Sequence, residues 1–169
     1  SASTADYDPL ERSAATLCEA FTIALAALWL DRPEWVEPAQ WRVHAVLSRT
    51  GKDGALQPLA EGESLDAWTY RELVGIHALH RLAGLLSHRA WRVRVRDAVA
   101  FHLGHTQPDN ATTQPWALAA FLEAPGDASG IGFADQQLHD AMMQGGGSLH
   151  PVAAMLVADA ACTLRTKKA

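Results

Sequence analysis

The sequence predicts an all-α fold: about seven helices in antiparallel hairpins, packed around a buried N-terminal helix. Three observations carry that prediction. Apolar residues recur at helical spacing through most of the chain. Proline and capping residues open, and glycine or proline closes, most of the periodic segments. Strand-like alternation occurs in one short stretch, Arg92 to Arg96. At 169 residues, with 49% hydrophobic and 20% charged residues, the chain has the length and composition of one folded domain. The expected domain is 1–169, with 1–7 and 166–169 frayed.

The first helix is expected to start at Asp8-Pro9, an N-cap followed by a proline that needs no N–H partner, and to run to about Asp31 before Pro33. Ala20 to Leu30 is apolar except for Thr22, so neighbours are expected on all sides, with Trp29 in the core. That run is shorter than the roughly 20 residues a membrane span needs. Acidic Asp6, Asp8 and Glu11 precede it where a signal peptide carries basic residues. The expectation is a cytoplasmic protein without a membrane segment. A second helix is predicted over about Pro38 to Arg49, with Trp41 in the core, followed by a glycine-rich loop over 51–65.

Thr69-Tyr70-Arg71-Glu72 has the form of a capping box and is read as the start of a third helix reaching about Ser87. The fourth runs from Arg89 to His105. Residues 91–96 fit a strand or a helix, and helix is preferred because Trp91, Val95, Ala98, Val99 and His102 fall on one side. A polar loop over 106–115 contains Thr-Gln-Pro twice. Further helices are expected over Pro115–Glu123, Phe133–Met143 and, beyond the Gly145–Gly147 break, from Ser148 to about Leu164. The paired rhythm resembles helical-hairpin stacks, α/α toroids among them, as an analogy of architecture that fixes no function.

A formal net charge of -5 argues against nucleic acid as a partner. The densest positive stretch, Arg89, Arg92, Arg94 and Arg96, reads as a solvated helix face, with an anion site as the sharper alternative. Cys18 and Cys162 lie inside apolar runs, form no metal-binding spacing, and read as buried thiols. No phosphate-cradling glycine loop, nucleophile elbow or HExxH motif occurs.

Eight histidines are the chemical signal. His77 with His80, and His102 with His105, have the spacing that places side chains on one helix face. If the third and fourth helices pair about residue 88, His77 and His102 come level. The polar loop then adds Asp109, Asn110 and Gln114. The expected site uses His77, His102 and Asp109 for proton transfer, with His80, His105, Asn110, Gln114, Trp68 and Trp116 lining a pocket. A metal version takes His77, His80 and His102 as ligands to zinc or non-haem iron. Two functions follow as expectations. The first is a helical binding or interaction module for a small molecule or for a second copy of the chain. The alternative is a hydrolase- or lyase-like enzyme built on the histidine cluster beside the 106–115 loop.

Overall fold

The protein is described by a computed structural model covering residues 11–48, 54–106, 114–124 and 128–166, without the side chains of 11–14, 128 and 166. The fold is all-α. The described residues form seven α-helices: α1 (Glu11–Trp29), α2 (Val36–Leu47), α3 (Leu65–Leu85), α4 (Arg89–His105), α5 (Leu118–Leu122), α6 (Ala128–Gln144) and α7 (Pro151–Thr166). A 3-10 turn at Pro33–Trp35 joins α1 to α2. Among the described residues no helix is long and apolar enough to cross a membrane. The Asp8-Pro9 start expected for α1 lies outside them.

The central element is α3, which packs against α1, α4 and α5; α5 in turn carries α6 and α7. Its buried stripe contains Leu73, Ile76, Leu79 and Leu82. α1 buries Leu17, Ala20, Ala24 and Ala27, a narrow face of mainly small residues that lets its backbone approach α2 and α3 closely. The burial does not extend around the helix. Leu28, Trp29 and Leu30 at its end are exposed, Trp29 to 80%. Trp41 on α2 is likewise 70% exposed, so neither indole belongs to the core, whereas Trp91 does. Cys18 is half-buried and Cys162 exposed, which corrects the reading of two buried thiols.

α3 begins earlier than the capping-box pattern implies. Ser64 is the N-cap, its hydroxyl accepting from the Ala67 amide at 3.2 Å, and Asp66 adds a carboxylate to the first turn. Thr69 and Glu72 are thus interior and buried. The extra turn allows Trp68 to bury its ring and donate from Nε1 to the Gln57 carbonyl at 3.0 Å. The strand-like stretch is helical and buries Trp91, Val95, Ala98, Val99 and His102 on one face, while Arg94 turns away from its arginine neighbours and donates to the carbonyls of Gly54 and Ala55. α5 is shorter than expected, beginning only after Ala117, which takes a left-handed conformation (φ 59°). α6 starts before its expected first residue, with Gly130 inside the helix. A Cβ there would collide with the Phe121 carbonyl, so the glycine permits contact with α5 rather than marking a loop.

Candidate functional site

The predicted histidine site is divided among three places. His77 faces Trp116, with ring centroids 5.4 Å apart. Burial pushes its pKa down to about 4, and the charges of Arg81 and His80 act in the same direction against Asp159. The ring is therefore neutral at neutral pH. Gln114 and Trp116 belong to this region: the Trp116 amide donates to the Gln114 carbonyl at 2.9 Å, and Gln137 Nε2 donates to the Trp116 carbonyl at 3.2 Å.

His80 turns instead toward α5, where Nε2 lies 3.2 Å from Glu123 Oε2. His102 is fully buried against α3, with Nε2 3.4 Å from Glu72 Oε2 and Nδ1 2.9 Å from Thr106 Oγ1. Trp68 covers its ring at 5.7 Å. His105 stacks on Phe101 at 4.6 Å and donates from Nδ1 to the Phe101 carbonyl. Asp109 and Asn110 lie outside the described residues.

The proposed triad of metal ligands is corrected by this arrangement. Among the described residues no group of three or more His, Cys, Asp or Glu side chains is placed to hold a metal ion. The physical reason is register. His102 meets α3 at Glu72, five residues before His77, which is about 7.5 Å along a helix axis. His77 and His80 meanwhile have separate partners in Trp116 and Glu123.

The site with the clearest binding geometry is a cavity of about 670 Å³ bounded by α3, α4, α5 and α7, with Phe21 of α1. Its apolar wall includes Phe21, Leu85, Val95, Val99 and Ala120. Its polar wall is strongly cationic: Arg81, Arg89, Arg92 and Arg96 line it, with Glu123 as the acidic residue facing His80. Helical spacing explains the division of the arginines. Positions 89, 92 and 96 share one face of α4, while 94 lies across the helix toward the 54–55 segment. Arg81 is held by Asp159 at 3.2 Å and by the Thr163 hydroxyl, with its guanidinium 5.9 Å from the Phe21 ring centre. Arg92 donates from Nε to the Ala83 carbonyl at 3.3 Å. Among the described residues, Arg89, Arg92 and Arg96 have no carboxylate partner.

A second cavity, of about 610 Å³, lies at the other end of the α3–α4 hairpin, against the segment from Ala55 to Leu59. Trp68, Phe101, His105 and Thr106 line it, together with Leu59 and Leu65. Of the predicted pocket residues, Trp68 and His105 are therefore brought together here, with His102 directly behind Thr106.

Sequence reasoning missed Glu72, Glu123 and the cavity role of Arg81. A signal for Glu72 exists, because it continues the buried stripe of Ile76, Leu79 and Ala83, where a carboxylate requires a partner. Glu123 has no such signal: its partner is 43 residues away. No protein-family model, curated protein or solved structure significantly matches this chain.

Proposed function

We propose that the protein is a helical binding module for a small molecule with an apolar body and an anionic head, held in the cavity between α3, α4, α5 and α7. The observation that carries this reading is the pairing of apolar lining residues with three arginines that lack a carboxylate partner among the described residues. The volume, about 670 Å³, lies within the usual span of small-molecule sites. A chain of net charge -5 has no general excess of cations, so their concentration here is local. Guanidinium groups suit carboxylate, sulfonate or phosphate through paired N–H donors. The apolar wall supplies affinity, and the arginines choose the sign of the head group.

Displacement of the fluorescent probe anilinonaphthalene sulfonate tests the reading. Decanoate, decanol and decyltrimethylammonium share one apolar body and differ in charge. Decanoate should displace the probe at a concentration at least about tenfold below decanol, equivalent to about 1.4 kcal/mol. Decyltrimethylammonium should be the weakest. Replacing Arg89 and Arg96 together by alanine should erase the advantage of decanoate. Equal displacement by decanoate and decanol, or an unchanged advantage in the double variant, would contradict the proposal.

A further inference from the structure

The second cavity carries chemistry that anion binding at the first does not use. Glu72, His102 and Thr106 form a chain of hydrogen-bonding groups leading from the core to its wall. Glu72 Oε2 accepts from the Leu56 amide at 2.6 Å and lies 3.4 Å from His102 Nε2. With Glu72 taken as a carboxylate, which can only accept, the hydrogen between Oε2 and Nε2 resides on Nε2. In the neutral ring Nδ1 is then an acceptor, 2.9 Å from Thr106 Oγ1.

The Thr106 hydroxyl has a choice of acceptors, Nδ1 and the His102 carbonyl at 3.1 Å. That carbonyl already accepts the Thr106 amide at 3.0 Å. Directing the hydroxyl hydrogen to Nδ1 gives the buried imidazole lone pair a donor, whereas directing it to the carbonyl leaves that lone pair without one. The hydroxyl hydrogen therefore points at a base whose opposite nitrogen is anchored by a carboxylate. Trp68 at 5.7 Å and Phe101 at 5.5 Å both contact the ring, and contact each other at 6.0 Å.

We propose that Thr106 is an activated nucleophile at this second site, with His102 as its base, and that it accepts an acyl group from an ester of an apolar carboxylic acid. The carboxylate–imidazole–hydroxyl order is that of nucleophilic hydrolases, with the two ring nitrogens in exchanged roles. Thr106 Oγ1 bonds to the ester carbonyl carbon while its proton passes to His102 Nδ1. Collapse of the tetrahedral intermediate breaks the bond to the alcohol oxygen, which leaves with that proton. Water then gives a proton to Nδ1 and attacks the acyl carbon. Thr106 Oγ1 departs with the proton, releasing the acid. Leu59, Leu65, Trp68 and Phe101 form the wall that receives the acyl chain.

An alkyl fluorophosphonate, which labels activated hydroxyls, tests this directly, with the adduct located by peptide mass mapping. The proposal predicts one adduct on Thr106, retained in Thr106→Ser and absent in Thr106→Val. His102→Gln should slow labelling at least about 100-fold, the scale of a lost general base. Thr106 is only half-buried, so its two variants keep the test decisive if the His102 variant fails to fold. No adduct at position 106 in either wild type or Thr106→Ser, both folded by circular dichroism, would overturn the proposal. So would an adduct that forms equally fast in folded His102→Gln.

Discussion

Glu72 Oε2 and His102 Nε2 lie 3.4 Å apart, with both side chains completely shielded from solvent. The same oxygen accepts the Leu56 amide, so one carboxylate fastens α4 and the 54–64 segment to α3. Glu72→Gln retains the shape but removes the charge from these contacts. It should cost about 1.5–3 kcal/mol, the range for hydrogen bonds to charged groups. Glu72→Ala should cost more, because it also leaves the Leu56 amide and the imidazole without their partner. Urea unfolding of both variants measures the difference, and a loss below about 0.5 kcal/mol for Glu72→Gln would show that the network contributes little.

His77 gives the fold a dependence on acidity. Its folded-state pKa is lowered from 6.5 to about 4, chiefly by burial. Above pH 6.5 the ring is neutral in both folded and unfolded chains, and its contribution to stability is full. Between pH 6.5 and about 4 the unfolded chain binds the proton first, so stability falls as pH falls. The full shift corresponds to about 3 kcal/mol, and to about 2 kcal/mol by pH 5. His77→Gln should therefore flatten the loss of stability between pH 7 and pH 5. Equal slopes for variant and wild type would contradict this account.

The glycines of α3 separate packing from helix propensity. A Cβ on Gly75 would lie 2.7 Å from Gln57 Nε2 and 3.1 Å from Leu56 Cδ2. Gln57 cannot easily withdraw, because its amide accepts from Arg71 Nη1 at 2.7 Å and donates to the Arg71 carbonyl. Gly84 has no neighbouring atom within 4 Å of the same position. Gly75→Ala should destabilise by about 1–3 kcal/mol through overpacking. Gly84→Ala should stabilise by about 0.5–1 kcal/mol through reduced backbone entropy. Thermal melts of the two variants should shift in opposite directions.

The existence and order of the helices were legible because amphipathic spacing is local. Their starts were less so. Thr69–Glu72 has the pattern of a capping box, yet Ser64 provides the cap, because burying Trp68 lengthens α3. Trp29 and Trp41 are apolar at helical spacing but face outward, since the faces of α1 and α2 that meet are made of alanine and valine. For the candidate site, His102 on an apolar stripe was visible in the sequence. Its meeting with Glu72 depends on hairpin register, which spacing alone left a few residues uncertain. Arg89, Arg92, Arg94 and Arg96 were visible as one positive stretch, but the departure of Arg94 toward Gly54 and Ala55 was not, nor was the wall that α5 and α7 place opposite the other three.

Glu63 ties the 54–64 segment to α3 by a second route. Burial alone would raise its carboxyl, but hydrogen bonds from Arg71 and the Ala60 amide, with the Arg71 charge, hold it below its ordinary value. Its stabilising effect is present above the unfolded-state pKa and is lost as pH falls through the lowered one. Hydrogen exchange at the Leu56 amide should accelerate in Glu63→Gln at neutral pH. An unchanged rate would place the closure of this segment entirely on Glu72.

Binding in the arginine-lined cavity is tested most directly by a crystal structure with bromodecanoate, whose bromine is located by anomalous scattering. The account predicts the carboxylate within hydrogen-bond distance of Arg89, Arg92 or Arg96, and the bromine against Phe21, Val95, Val99 or Ala120. A probe bound elsewhere with this cavity unfilled, or one whose carboxylate points away from all of those arginines, would contradict it.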